Sequence, residues 1–99
     1  MGENKKIKLL IADDNKEFCH LVKEYFETES DMEILGVVHD GIEALEKVKE
    51  LDPDVLILDL IMPNLDGLGV INRLINNPQK PKIIVLSAVG QDKITQKVV

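Results

Sequence analysis

The sequence contains little cysteine, few aromatic residues and no long apolar run. Its 99 residues include one cysteine, no tryptophan, one tyrosine and two phenylalanines. A single cysteine, Cys19, excludes an internal disulfide framework and fits a reducing compartment. So few aromatic rings cannot form the stacking platform on which proteins bind single-stranded nucleic acid.

Segments that would direct the chain to a membrane are also lacking. No stretch approaches the roughly 20 consecutive apolar residues that a membrane-spanning helix needs. Residues 1–8 are largely polar and contain lysines, unlike a secretory signal peptide. We therefore expect a cytoplasmic protein with no membrane partner.

Clustered positive charge is absent as well. The formal net charge is −6, and the twelve Lys and Arg residues are scattered. Because phosphate contacts need clustered cations, DNA could be bound only through another domain. A length of 99 residues with 44% hydrophobic residues predicts one globular domain, residues 1–99, with a modest core.

Four short apolar segments alternate with amphipathic segments along the chain. The apolar segments are typical of buried strands, and the others repeat apolar residues at helical spacing. We predict strands at residues 8–12, 32–38, 55–59 and 82–87, helices beginning near residues 16, 40 and 67, and a last helix containing Ile94 and Val98. This alternation predicts an α/β, flavodoxin-like fold of three layers, with a parallel sheet of strand order 2-1-3-4.

Helical spacing also predicts which residues face the core. They are Phe18, Leu21, Val22, Tyr25 and Phe26 in the first helix, Ile42, Leu45 and Val48 in the second, and Leu68, Ile71, Leu74 and Ile75 in the third. Asp40 and Glu43 have the spacing of a capping box. Cys19 and His20 have no further ligands at metal spacing, so we predict a packed thiol and a solvated imidazole there.

Polar side chains follow three of the predicted strands. Asp13 and Asp14 come directly after the first strand, Asp59 ends the third before Pro63 turns the chain away, and Ser87 ends the fourth. Because the carboxyl ends of parallel strands share one edge of the sheet, these side chains should lie together. Each residue alone would equally fit a simple turn at the end of a strand.

Three converging carboxylates favour a cation. Two unit charges about 4 Å apart repel by roughly 4 kcal/mol at an effective dielectric near 20. Mg²⁺ relieves such repulsion, and it typically binds one or two carboxylates, several waters and a phosphoryl oxygen. A flavin mononucleotide site or a P-loop would instead place glycines, hydroxyls and a lysine after the first strand. The sequence therefore predicts a magnesium site that receives a phosphoryl group.

The same residues lie in motifs that resemble the receiver domain of bacterial two-component response regulators. The motifs are Ala12-Asp13-Asp14-Asn15, Asp59-Leu60-Ile61-Met62-Pro63, Leu65-Asp66-Gly67-Leu68 and Leu86-Ser87-Ala88. Together with Ala88-Val89-Gly90-Gln91-Asp92 they are most similar to the stage-zero sporulation response regulators of spore-forming Firmicutes.

This resemblance implies a CheY-like fold and a role in a phosphorelay. Asp59 would be the phosphoacceptor, and a histidine kinase or a histidine phosphotransferase would donate the phosphoryl group. Asp13, Asp14, Asp59 and the Ile61 carbonyl would bind Mg²⁺, which Mn²⁺ or Ca²⁺ could replace. Ser87 would be the switch hydroxyl. The protein would be no conventional enzyme, because it would catalyse only its own phosphorylation and dephosphorylation.

The resemblance also implies parts that residues 1–99 do not contain. The family carries a lysine at the end of a fifth strand, and we expect the receiver domain to be incomplete at its C-terminus, without that strand and its helix. Lys93 and Lys97 are expected to be solvated instead. The uncovered sheet edge predicts weak stability, aggregation, or a homodimer formed by strand or helix exchange. A sporulation-related transcriptional output would lie in a missing C-terminal DNA-binding domain.

Two other functions stay open at this point. A structural or dimerisation module with the same fold would never take phosphate and would bind no Mg²⁺ even at millimolar concentration. An aspartyl-phosphate hydrolase of the haloacid-dehalogenase type also uses an Asp after a strand. Such enzymes need a second Asp two positions later, where this chain has Ile61.

Overall fold

Strands and helices alternate strictly in the structure, a computed structural model that describes residues 5–86. In chain order the elements are β1 (Ile7–Ala12), α1 (Lys16–Glu27), β2 (Met32–Val38), α2 (Gly41–Leu51), β3 (Val55–Asp59), α3 (Gly67–Leu74) and β4 (Lys82–Leu86). Ser87, Lys93, Lys97 and the predicted last helix lie outside the described residues.

The four strands form one parallel sheet in the order β2-β1-β3-β4. The predicted flavodoxin-like order is thus confirmed. β1 and β3 are neighbours, and Ala12 pairs with Leu58 at their carboxyl ends. Asp13 follows Ala12 and Asp59 follows Leu58, so this register brings the two aspartates to the same edge of the sheet.

Apolar clusters cover β1 and β3 on both faces, as their unbroken aliphatic runs predict. The larger cluster joins the sheet to α2 and α3, and its buried members are Leu10, Ala12, Val38, Ala44, Val48, Leu56, Leu58, Met62, Val70 and Leu74. The smaller cluster lies under α1, with Ile11, Cys19 and Ile57 buried and Val22 and Phe26 packed against them. The sequence stretch that ends in Asp59 is therefore held from two sides.

Each helix begins at a side chain that accepts a hydrogen bond from its first turn. Asn15 accepts from the Phe18 N–H at 3.0 Å, and Asp66 accepts from the Gly69 N–H at 2.9 Å. Asp40 Oδ1 accepts from the Glu43 N–H at 2.8 Å, which satisfies one free donor of α2. The predicted capping box is confirmed in this half only, because the Glu43 carboxylate accepts from the N–H of His39, one residue earlier.

The predicted buried faces of the helices are wrong in part. Leu21 and Tyr25 of α1 are 59% and 64% exposed, whereas Cys19 is buried. The physical reason is that each apolar stripe is wider than the strip of helix surface that reaches the sheet. The same reason applies to Ile42, Leu68 and Ile75, which are exposed. In α3 the buried face is also rotated relative to the predicted one, because it consists of Gly67, Val70 and Leu74, and the spacing did not select Val70.

β4 is the least covered strand of the sheet. Ile84 and Val85 are 51% and 43% exposed, so an apolar run did not guarantee burial here. Among residues 5–86 no strand pairs with the outer edge of β4. Within the same residues, no helix combines the length and the apolar character needed to cross a membrane.

Candidate functional site

Three carboxylates meet where β1 and β3 end. One oxygen from each of Asp13, Asp14 and Asp59 lies within 4.8 Å of the others. Asp13 and Asp59 are each only 3% exposed, while Asp14 is open to solvent. The cluster therefore has two buried carboxylates at its base and one at its mouth.

The backbone around Asp59 is fixed by the start of α3. Asp59 Oδ1 accepts a hydrogen bond from the Ile61 N–H at 3.3 Å, and the Gly67 N–H donates to the Leu60 carbonyl at 2.8 Å. A Cβ at position 67 would lie 2.5 Å from the Asp59 carbonyl oxygen, so only glycine permits this approach. The loop of residues 60–66 thus leaves the sheet after Asp59, and at its end Gly67 packs against the Asp59 backbone.

Asp13 is held by contacts from three elements. Its N–H donates to the Val38 carbonyl of β2 at 3.0 Å. Its Oδ1 accepts from the N–H of Asn15, the N-cap of α1, at 2.9 Å. Its carbonyl oxygen lies 3.2 Å from Cys19 Sγ and 3.0 Å from His39 Nδ1. Asp13 therefore has both its peptide groups and its carboxylate tied to the fold.

Within residues 5–86, no ion pair balances the negative charge of the cluster. Burial raises the pKa of Asp59, and the Asp13 and Asp14 carboxylates raise it further, against the opposing effect of the Ile61 N–H. Burial, aided by the same carboxylates, raises the pKa of the Cys19 thiol to about 11. In the described part of the chain, no Lys or Arg forms an ion pair with any of the three.

These side chains fit a hard divalent cation. Mg²⁺ takes oxygen ligands, commonly one or two carboxylates, and keeps waters at the remaining positions. Two fixed, buried carboxylates and a third at the solvent supply such oxygens, and a cation would relieve the repulsion that raises the pKa of Asp59.

The two remaining predicted site residues are Ile61 and Ser87. Ile61 lies two residues after Asp59 in the 60–66 loop, and its side chain is 57% exposed. Ser87 lies outside the described residues, although Leu86, which precedes it, pairs with Asp59.

Two contacts beside the cluster were not predicted from the sequence. They are those of His39 and of the Cys19 thiol with the Asp13 carbonyl. Cys19 was expected to be packed, and it is, but its hydrogen bond to the Asp13 carbonyl was not foreseen. His39 directly follows β2, so the rule about strand ends would have selected it. His20 is exposed as expected, with Nε2 3.3 Å from a Glu24 oxygen.

The sequence matches the response regulator receiver domain family over residues 9–99. The chain belongs to this family. Receiver domains bind Mg²⁺ at an acidic cluster of aspartates and interact with histidine kinases or phosphotransferases. The acidic cluster of this receiver domain stands where its fold brings the ends of β1 and β3 together.

Solved receiver structures have the same architecture. The response regulator domain of Thermotoga maritima CheB is 32% identical, with a TM-score of 0.80 over 86% of this chain and 63% of that one. The signal receiver domain of the putative response regulator NarL from Mycobacterium tuberculosis is 27% identical, with a TM-score of 0.82 over 94% of this chain and 75% of that one. A DNA-binding response regulator of the LuxR family from Staphylococcus aureus is 26% identical, with a TM-score of 0.79 over 93% and 77%.

This receiver domain therefore spans less than two thirds of the length of the CheB structure that it matches. The similarity establishes the family and the fold.

Proposed function

We propose that this receiver domain is a phosphoacceptor, and that Asp59 takes a phosphoryl group from the phosphohistidine of a histidine kinase or histidine phosphotransferase. The observation that supports this most strongly is the position of the Asp59 carboxylate, buried at the end of β3 with Asp13 and Asp14 oxygens within 4.8 Å. A strand covered on both faces holds such a nucleophile still, which favours attack in one geometry.

In the proposed reaction, an Asp59 carboxylate oxygen attacks the phosphorus atom of the donor. A P–O bond forms, the P–N bond breaks, and its electron pair stays on the imidazole nitrogen, which takes up a proton. Asp13, Asp14, Asp59 and the Ile61 carbonyl would hold Mg²⁺, or Mn²⁺ or Ca²⁺ in its place. When bound, the ion supplies positive charge to the phosphoryl oxygens. Ser87 would donate a hydrogen bond to the phosphoryl group and act as the switch hydroxyl.

The chain would act on no separate substrate. It would catalyse only its own phosphorylation and the later hydrolysis of its acyl phosphate by water. The partner contributes the phosphohistidine, and the receiver domain contributes the nucleophile and the metal ligands.

A small-molecule phosphodonor tests the nucleophile directly. Acetyl phosphate with Mg²⁺ should add one base-labile phosphoryl group, detected as a mass increase, and Asp59→Asn should abolish it. Asp66→Asn is the matched control, because this exposed N-cap lies in the same loop and asparagine caps helices as well as aspartate does. Phosphorylation that survives Asp59→Asn, or that Asp66→Asn removes equally, would contradict the assignment.

A Mg²⁺ titration separates this proposal from a purely structural module with the same fold. Calorimetry should detect binding to the unaltered chain and a loss of at least tenfold in affinity in Asp13→Asn and Asp59→Asn. No binding at millimolar Mg²⁺ would favour the structural module.

We also propose that the domain belongs to a cytoplasmic sporulation phosphorelay, with a transcriptional output in a C-terminal DNA-binding domain. This proposal rests on the resemblance of the motif residues 12–15, 59–63, 65–68 and 88–92 to those of the sporulation regulators. Phosphotransfer rates provide the test. A sporulation phosphotransferase should phosphorylate Asp59 faster than an unrelated sensor kinase does, and equal or reversed rates would contradict this assignment.

A further inference from the structure

The turn between β2 and α2 contacts both chain segments that carry the acidic cluster. This turn is defined as the segment of His39, Asp40 and Gly41, the last of which is the first residue of α2. None of these residues belongs to the cluster itself. One segment that it contacts is the end of β1 with Asp13. The other is the 60–66 loop, which follows Asp59.

The first contact joins the turn to the backbone of Asp13. His39 Nδ1 lies 3.0 Å from the Asp13 carbonyl oxygen, and because a carbonyl only accepts hydrogen bonds, Nδ1 carries the proton and donates. Cys19 Sγ, in the first turn of α1, donates to the same oxygen at 3.2 Å. The Asp13 carbonyl is thus held by one donor from α1 and one from the turn.

The second contact joins the turn to the 60–66 loop. Asn64 Nδ2 donates to Asp40 Oδ2 at 2.9 Å, while the other oxygen of Asp40 accepts from the N–H of Glu43. Asn64 has a positive φ of 68°, a conformation that asparagine and glycine adopt more readily than other residues. A single carboxylate therefore caps α2 and fastens the loop that leads away from Asp59.

The third contact shows how closely the turn and the loop are packed. A Cβ at Gly41 would overlap the carbonyl oxygen of Leu65, so only glycine fits at this position. Gly41 is itself buried. The loop therefore rests on the backbone of the turn, and the Asp40–Asn64 hydrogen bond closes the contact at its edge.

We propose that this turn is a positioning element for the metal ligands. The turn joins the Asp13 backbone to the 60–66 loop. It thereby fixes the distance between the ligands at the end of β1 and those at the end of β3. His39 and Asn64 are then positioning residues for Mg²⁺ binding, although neither would touch the ion. This inference rests on the proposed function, since it requires Asp13 and Asp59 to bind the metal.

Mg²⁺ makes such positioning important. The ion demands nearly ideal octahedral geometry and short ligand distances, so mobile ligands weaken its binding. Loss of a group that orients a metal ligand commonly costs 10- to 100-fold in metal affinity. We expect about a tenfold rise in the Mg²⁺ dissociation constant when either contact is removed.

Paired variants test each contact. His39→Leu removes the donor to the Asp13 carbonyl, whereas His39→Asn keeps an N–H near the position of Nδ1 and should restore most of the affinity. Asn64→Gly removes the amide but keeps a residue that tolerates positive φ. His20→Leu and Asn77→Gly are matched controls, because these side chains are exposed and, within residues 5–86, their polar partners are Glu24 and Gln79, which lie outside the turn and the cluster.

The measurements are Mg²⁺ affinity by calorimetry, with the metal alone, and the urea midpoint of the metal-free protein. We expect weaker binding in His39→Leu and Asn64→Gly, near-parental binding in His39→Asn and both controls, and no matching fall in the urea midpoints. Unchanged affinity in both variants would overturn the inference, and so would an affinity loss that simply follows a lowered midpoint.

The outcome also distinguishes this inference from the proposed function. If the unaltered chain binds Mg²⁺ and accepts phosphate at Asp59, while His39→Leu and Asn64→Gly keep their affinity, only the positioning role fails. If the unaltered chain binds no Mg²⁺, the metal assignment and the positioning role fail together.

Discussion

β3 and β4 lie side by side in the sheet but differ sharply in how well they are covered. Each has five residues, and Ile57 of β3 pairs with Ile84 of β4 in the parallel register. Yet Ile57 is 5% exposed and Ile84 is 51% exposed. An apolar run thus determines that a strand forms, whereas its burial depends on what packs across it.

The difference also bears on where the candidate site can form. Asp59 ends the covered strand, beside the covered end of β1, and so its carboxylate is held in a buried position. Leu86, its partner at the end of β4, belongs to the less covered side of the sheet. The acidic cluster is therefore built on the part of the sheet that is packed from both faces.

Alanine substitutions at the paired isoleucines should show the largest contrast. Ile57→Ala should lower the free energy of unfolding by about 2 to 5 kcal/mol, because it leaves a cavity between β3 and α1. Ile84→Ala should lower it by about 0.5 kcal/mol or less, as is usual at exposed positions. Urea unfolding monitored by circular dichroism measures both.

Equal losses for the two substitutions would contradict this contrast. They would indicate that Ile84 is covered in solution, for example by a second copy exchanging a strand at the outer edge of β4. Repeating the unfolding at several protein concentrations identifies that case, since the stability of a dimer rises with concentration.

Asp59→Asn should have the next largest effect, and it should stabilise the metal-free protein. Asp59 has a raised pKa in the folded state, so its ionisation disfavours folding once the pH exceeds the ordinary value of 3.8. Asparagine removes this charge, and we expect a gain of about 1 to 3 kcal/mol at pH 7, given the repulsion between close carboxylates. Chemical unfolding with a chelator present measures the gain.

The pH dependence gives a second check on Asp59. The stability of the unaltered chain should fall as the pH rises from 3.8 through the raised pKa of Asp59, and Asp59→Asn should remove this fall. Added Mg²⁺ should stabilise the unaltered chain more than the variant. A metal-free variant that is less stable than its parent at pH 7 would be evidence against the buried, repelled carboxylate.

The sequence was sufficient to predict the elements, their order in the sheet and the meeting of Asp13, Asp14 and Asp59. Those predictions depend on short-range patterns and on one geometrical fact, that parallel strands end at a common edge. Unbroken aliphatic runs also predicted that β1 and β3 are covered on both faces.

Other features could not be predicted because they depend on distant parts of the chain. Periodicity places Leu21 and Tyr25 on the apolar stripe of α1, but only the packed structure shows that the sheet reaches Cys19 and leaves those two exposed. The position of His39 directly after β2 places it at the same edge as Asp13, but the hydrogen bond between these residues, 26 positions apart, depends on the packed structure.

Thiol labelling should sharpen the contrast between β3 and β4 while disturbing the fold least. Cys19 packs against Ile57, and burial raises the pKa of its thiol from 9.0 to about 11, which lowers the reactive thiolate roughly 100-fold near neutral pH. Iodoacetamide should therefore leave the native chain unmodified until urea unfolds it.

In Val85→Cys, the introduced thiol on exposed β4 should react at once, so mass spectrometry should show one adduct before unfolding and two afterwards. If Cys19 reacted as fast as the thiol at position 85 in the native protein, the covering of β3 by α1 would have to be weaker than the packed cluster implies, because labelling at that rate requires frequent local opening.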